Sequence, residues 1–135
     1  MTSKTKHLSN IYVPISLGEL IDKITILEIK KVHMNGKQLN NINKELGLLN
    51  DILQEKNIKV DSDLINNLKN INNSLWEIED NIRVKERNQE FDKEFIQLAR
   101  SVYKTNDMRA SIKKEINQKY KSEIVEEKSY HNYLI

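Results

Sequence analysis

Apolar residues recur every three or four positions along four stretches of this chain, with polar residues between them, which is the helical period. Leu17, Leu20, Ile21, Ile24, Leu27 and Val32 mark the inner face of a first helix, from Leu17 to about Met34. Ser16-Leu17-Gly18-Glu19 ahead of it has capping-box spacing. The Ser16 hydroxyl is expected to accept from the Glu19 N–H while Glu19 reaches back. Asn35-Gly36 is a turn signal. A second helix covers roughly Lys37 to Gln54, with Leu39, Ile42, Leu46, Leu49 and Leu53 on one stripe. Asp61-Ser62-Asp63 supplies capping candidates for a third, Leu64 to about Arg87, striped by Leu64, Leu68, Ile71, Leu75, Ile78 and Ile82. A fourth begins near Phe91 or Asp92 and continues to about Lys121.

Outside these helices, residues 1–10 read as a loose N-terminal arm. Ile11-Tyr12-Val13-Pro14-Ile15 reads as an extended strap packed across the helices, because Pro14 lacks an N–H and biases Val13 away from helix. Residues 122–135 form a tail or short last helix ending in Tyr130, Tyr133 and Ile135. Short connections favour antiparallel neighbours. The expected fold class is therefore all-α, an antiparallel up-down bundle of about four helices with an N-terminal strap, in one domain over 1–135.

Composition agrees with this picture. The chain has 135 residues, 38% hydrophobic and 31% charged, a balance typical of a folded domain with its own core. Three Gly and one Pro are too few for the tight turns of a sandwich or barrel. Cysteine is absent, which removes disulfides and thiolate metal sites and fits a reducing compartment. No apolar run approaches the ~20 residues of a membrane span, and no signal-peptide h-region follows the polar start, so the expected location is cytoplasmic. Net charge is +2 with acids and bases interspersed, so no nucleic-acid partner is expected.

Candidate chemistry lies where polar residues interrupt apolar faces. Glu28 falls within the inner arc of the first helix, where a carboxylate must be paired, protonated or solvated. On the third helix Asn72, Glu79 and Glu86 recur along one edge of the stripe. Arg83 stands four residues after Glu79, close enough for a surface pair. Trp76 projects to the same side, most simply as core packing with a partner for its N–H. On the fourth helix Phe95, Leu98, Ala99 and Val102 begin an ordinary inner face, which continues as Thr105, Asn106, Arg109, Lys113 and Asn117. Arg109 and Lys113 need carboxylates such as Glu28, Glu79 or Glu86, or an anionic ligand. The plainer alternative is that the helix outruns the bundle and its second half faces solvent. His7, His33 and His131 are scattered, and cations stand where a metal site would want acids, so neither metal nor cofactor is expected.

Four segments, VPISLGELIDKITILEIK (13–30), LWEIEDNIRVKE (75–86), FIQLARSVYKTNDMRASIKKEIN (95–117) and SEIVEEKSY (122–130), resemble the small bacterial and phage proteins grouped as Domain of Unknown Function 6165. The resemblance covers nearly the whole chain and is weakest at 36–62. It implies no activity, only a sugar or sugar-nucleotide context.

Two functions follow as expectations. The first is binding of an anionic small molecule, such as a sugar phosphate or nucleotide, in a polar pocket between helices. Arg109, Lys113 and Arg83 would hold the anion and Asn106 and Asn117 would orient it. Glu28 or Glu79 would pair the cations or act as general base, so catalysis stays open. The second is a non-catalytic homo-oligomeric module, a dimer in its simplest form, closed by Ile26, Ile29, Leu48 and Ile52 on the outer sides of the first two helices.

Overall fold

A computed structural model describes residues 7–129 and contains four helices: α1 (Leu17–His33), α2 (Gly36–Glu55), α3 (Ser62–Arg87) and α4 (Lys93–Lys119). Their starts follow the sequence signals. Ser16 Oγ accepts from the Glu19 N–H at 3.0 Å, Asp61 from Asp63 N–H at 2.9 Å and Asp92 from Phe95 N–H at 3.0 Å. Glu19 does not complete the capping box, because its carboxylate reaches Lys113 instead.

Three ends share one device. Asn57, Gln89 and Lys121 take the left-handed conformation just after α2, α3 and α4. The next N–H then returns to the carbonyl five residues back: Ile58 to Leu53 and Glu90 to Lys85 at 2.9 Å, Ser122 to Asn117 at 2.8 Å. Glycine usually fills this position, and none of the three is glycine.

Helix α1 is the central element. It packs against α2, α3 and α4, while α3 and α4 pack on each other and α2 lies chiefly on α1, with Leu53 at the edge of the cluster formed by Ile21, Leu64, Leu68 and Ile116. The side-chain pairs give the directions. Gly18 meets Asn117 and Asp22 meets Arg109, so α1 and α4 run antiparallel. Asp22 meets Asn72 and His33 meets Trp76, so α1 and α3 run parallel. The all-α up-down order is therefore present, with α2 as an outer layer.

Two contacting sides make nearly half of α1 buried. Leu20, Ile24 and Leu27 pack with Ile42 and Leu46 of α2, and Ile21 packs with Leu64, Leu68 and Ile116 on the other side. Several expectations change as a result. Val32 is 82% exposed because α1 is ending. Ile29 is buried, Ile26 and Ile52 are half-buried, and only Leu48 is exposed, so these four form no common outer patch.

Helix α4 reverses the expected polarity along its length. Its buried residues are Ile116 and Asn117, near its C-terminal end, while Phe95, Leu98 and Val102 are half-buried and Ala99 is exposed. The hairpin of α3 and α4 runs on past Trp76, where α1 stops. At 1.5 Å per residue, Glu77–Arg87 adds roughly 16 Å. Helix four does outrun the bundle, but with its apolar first half, and its polar second half is the part that meets α1. Lys85, within 3.0–3.1 Å of Glu90, Asp92 and Glu94, ties the tip of the hairpin.

The strap does not pack down. Residues 7–15 form neither helix nor strand, and Ile11, Tyr12 and Val13 are 66–81% exposed. Residues 122–129 form no helix either. They turn back along α4, with Lys128 reaching Asp107 at 3.4 Å. Residues 1–6 of the arm, and Tyr130, Tyr133 and Ile135 of the tail, lie outside the described residues.

Candidate functional site

The site grows from one close approach. Gly18 sits so near α4 that a Cβ there would lie 2.5 Å from the Lys113 carbonyl oxygen. The Gly18 N–H donates to Asn117 Oδ1 at 2.7 Å, and the Leu17 N–H to Ser122 Oγ at 3.1 Å. Side chains of α4 and the tail thus take up N–H groups that the start of a helix leaves unsatisfied.

One turn further along α1 lies Asp22, with no side-chain exposure. Its Oδ1 accepts from Arg109 Nε at 3.0 Å and Asn72 Nδ2 at 2.8 Å, and its Oδ2 accepts from Arg109 Nη2. This is the two-pronged geometry that suits guanidinium to carboxylate. Thr25 Oγ1 donates to the Asp22 carbonyl at 2.8 Å and accepts from Asn72 at 3.0 Å. Burial pushes the Asp22 carboxyl up, but the hydrogen bonds from Arg109 and Asn72 and the charges of Arg109 and Lys113 outweigh it. Asp22 is held below the usual carboxylate range. The Asp22 hydrogen bond raises Arg109 in turn, against burial.

Above this buried row lies a second, more open one. Lys113 Nζ stands 2.5 Å from Glu19, 3.7 Å from Asp22 and 3.5 Å from Glu126. Burial pulls Lys113 down, and the Glu19 hydrogen bond with the charges of Asp22, Glu19 and Glu126 moves it up by more. Glu126 accepts from Ser16 Oγ as well. Burial raises it, while the Ser16 hydrogen bond and Lys113 lower it overall. Lys114 faces Glu127 at 3.9 Å. Tail and α4 enclose an open groove of about 410 Å³ that Asn106, Arg109, Lys113, Lys114 and Asn117 line from the helix side.

The structure therefore brings Asn106, Arg109, Lys113 and Asn117 together, as their spacing implies, but not with the acids named from sequence. Glu28 pairs with Lys69 of α3 at 2.9 Å, away from the groove. Glu79 is exposed and touches the site only through its charge, a minor influence that favours charged Arg109. Arg83 and Glu86 are exposed and stand apart from the cluster. The acids that do the pairing are Asp22, Glu19 and Glu126. Asp22 lies opposite Leu20 around α1 and so looks solvent-facing while one buried stripe is assumed. The overlooked signal is a second stripe, Gly18, Asp22, Thr25 and Ile29, small or apolar apart from the one acid.

Trp76 stacks on His33 with ring centroids 4.6 Å apart, and its buried Nε1 has no partner among the described residues, contrary to the expected one. Among the described residues no three His, Asp or Glu side chains come close enough to hold a metal ion, and no helix is long and apolar enough to cross a membrane.

Fold and site together define an all-helical protein with a neutralised ion-pair network between its central and last helices and a polar groove above it. A family model described as a family of unknown function (DUF6165) matches residues 11–135, nearly the whole chain, and the protein belongs to that family. Neither the curated proteins nor the solved structures contain a match to it.

Proposed function

We propose that this protein binds an anionic small molecule, a phosphorylated metabolite by class, in the groove between α4 and the C-terminal tail. The observation that carries the reading is the split between inner and outer ion pairs. Arg109–Asp22 and Lys113–Glu19 are short, with Asp22 fully buried. Lys113–Glu126 and Lys114–Glu127 are long, at 3.5 and 3.9 Å, and their acids are 44% and 80% exposed. Exposed pairs at such distances contribute little, about 0–1 kcal/mol, so an external anion displaces them at small cost. The inner acids hold the lysine face in place and the outer acids stand where a ligand's oxygens would go.

The role is binding rather than proton transfer. A general acid or base near neutral pH needs a carboxyl raised towards 6–7. Asp22 and Glu126 are both moved the other way, and Glu28 is engaged elsewhere. A cysteine-free chain and a phosphorylated ligand both fit a cytoplasmic setting.

Inorganic phosphate is the probe. An anion that binds only the folded state raises the melting temperature by mass action, and the rise grows with concentration. Wild type should show this rise and Lys113→Ala, Lys114→Ala should lose it. Equal responses from the two proteins would remove the groove from consideration.

A further inference from the structure

The C-terminal tail follows one face of α4. It leaves the helix end with the Ser122 N–H on the Asn117 carbonyl at 2.8 Å, brings Glu127 to 3.9 Å from Lys114, and reaches Asp107 with Lys128 at 3.4 Å. It therefore travels towards the N-terminal end of α4. Lys114 and Asp107 share a face of the helix, and Tyr103 and Ile96 fall on the same face, all four within about 40° of one another. Ile96 is 55% and Tyr103 40% exposed, and Ala99 beside them is exposed as well. An apolar stripe thus lies directly ahead of the tail.

Tail and helix change chemistry at the same point. Up to Lys128 the tail is charged, and the face it follows carries Lys113, Lys114 and Asp107. Residues 129–135 hold no Asp, Glu, Lys or Arg and include Tyr130, Tyr133, Leu134 and Ile135. The face ahead turns apolar too, with Arg100 at its edge, a residue whose stem covers apolar surface while its head stays in water. The reach fits. Asp107 to Ile96 spans about 16 Å of helix, and residues 130–135, outside the described part, cover up to roughly 20 Å when extended. The tether decides which chain supplies the segment. With Lys128 already at Asp107, a short connection holds the segment over its own α4 at an effective concentration of about millimolar, above that of a second copy at micromolar concentration. We infer that residues 130–135 lie along Tyr103, Ala99 and Ile96 of their own chain, as a latch that holds the tail down on α4. The latch fixes the outer wall of the polar groove, which Glu126, Glu127 and Lys128 form, and it stands whether or not that groove binds an anion.

The test uses the full chain, which has no cysteine of its own. Ile96 and Gln97 are both exposed, but Gln97 points about 100° away from the stripe. Under mild oxidation in dilute protein, Tyr133→Cys, Ile96→Cys should close into an intrachain disulfide roughly tenfold faster than Tyr133→Cys, Gln97→Cys. Adding Leu134→Asp, Ile135→Asp to the first variant should remove that advantage. In the otherwise unsubstituted chain, Leu134→Asp, Ile135→Asp should speed hydrogen exchange of the Ser122 amide and leave helical circular dichroism unchanged. Equal closure rates at Ile96 and Gln97 overturn the proposal. So does an advantage that survives Leu134→Asp, Ile135→Asp, or a Ser122 amide that exchanges as in wild type. Disulfides that chiefly join two chains give the seat to a second copy, and overturn it as well.

Discussion

Two surfaces flank the N-terminus of α1, each edged by one end of the chain, and they use opposite chemistry. Beneath the C-terminal tail every buried hydrogen-bonding side chain has a partner: Asp22, Asn72, Thr25 and Asn117 all bond to named groups. Beneath the N-terminal strap Leu20, Leu48, Leu49 and Ile52 lie among charged side chains of both signs, and the strap stays off them. Polar groups withdrawn from water must be satisfied where they stand, because an unpaired one costs several kcal/mol. Apolar groups near the surface tolerate exposure and can wait for a partner. The buried row beneath the tail is consequently fixed by the fold, and the strap side leaves apolar surface in water.

Breaking the tail side should have the largest effect. Removing the acid with Asp22→Ala leaves Arg109 half-buried with its main partner gone, which should cost about 3–5 kcal/mol in urea denaturation. Arg109→Ala should cost somewhat less, because the fully buried Asp22 keeps Asn72 and has Lys113 3.7 Å away. Gly18→Ala comes next. The added methyl meets backbone at 2.5 Å and cannot push a flexible side chain aside, so α1 and α4 must separate at about 1–3 kcal/mol.

The pH dependence sharpens the comparison. Asp22 has its carboxyl held below the ordinary value of 3.8 in the folded protein. Its stabilisation is therefore complete above that value and is lost as pH falls through the lower folded one. The stability difference between wild type and Asp22→Asn should shrink below about pH 4. A difference that stayed constant down to pH 2 would show that the carboxylate charge contributes nothing. The smallest effects belong to the strap. Tyr12→Ser, at an exposed position, should change the stability of the isolated chain by no more than about 0.5 kcal/mol. A loss above 1 kcal/mol in dilute protein would mean that the strap packs within its own chain.

How much of this was readable from the sequence differs from element to element. The four helices were, because their stripes are long and Ser16, Asp61 and Asp92 mark the starts. Their ends fall within two residues of the expected positions, but the left-handed device that closes three of them was not legible, since Asn57, Gln89 and Lys121 carry no glycine signal. The lining of the groove was legible, because Asn106, Arg109, Lys113 and Asn117 lie on one face of a single helix. Their partners were not. A stripe gives one direction per helix, whereas α1 has neighbours on two sides, and Asp22 belongs to the second. Glu126 follows no period, and only the fold brings it to Lys113. The same limit explains Ile29, placed outside by the first stripe and buried by the second.

Because α2 lies chiefly on α1, with only Leu53 reaching the other core cluster, it can come away without parting any other pair of helices. Its departure would uncover Leu20, Ile24 and Leu27 while the Asp22–Arg109 network stayed whole. Native-state hydrogen exchange should find this as a separate opening: amides of Gly36–Glu55 exchanging at a lower free energy than those of α3 and α4. The helix would then behave as a hinged panel, and whatever lies between it and the strap would slow that exchange.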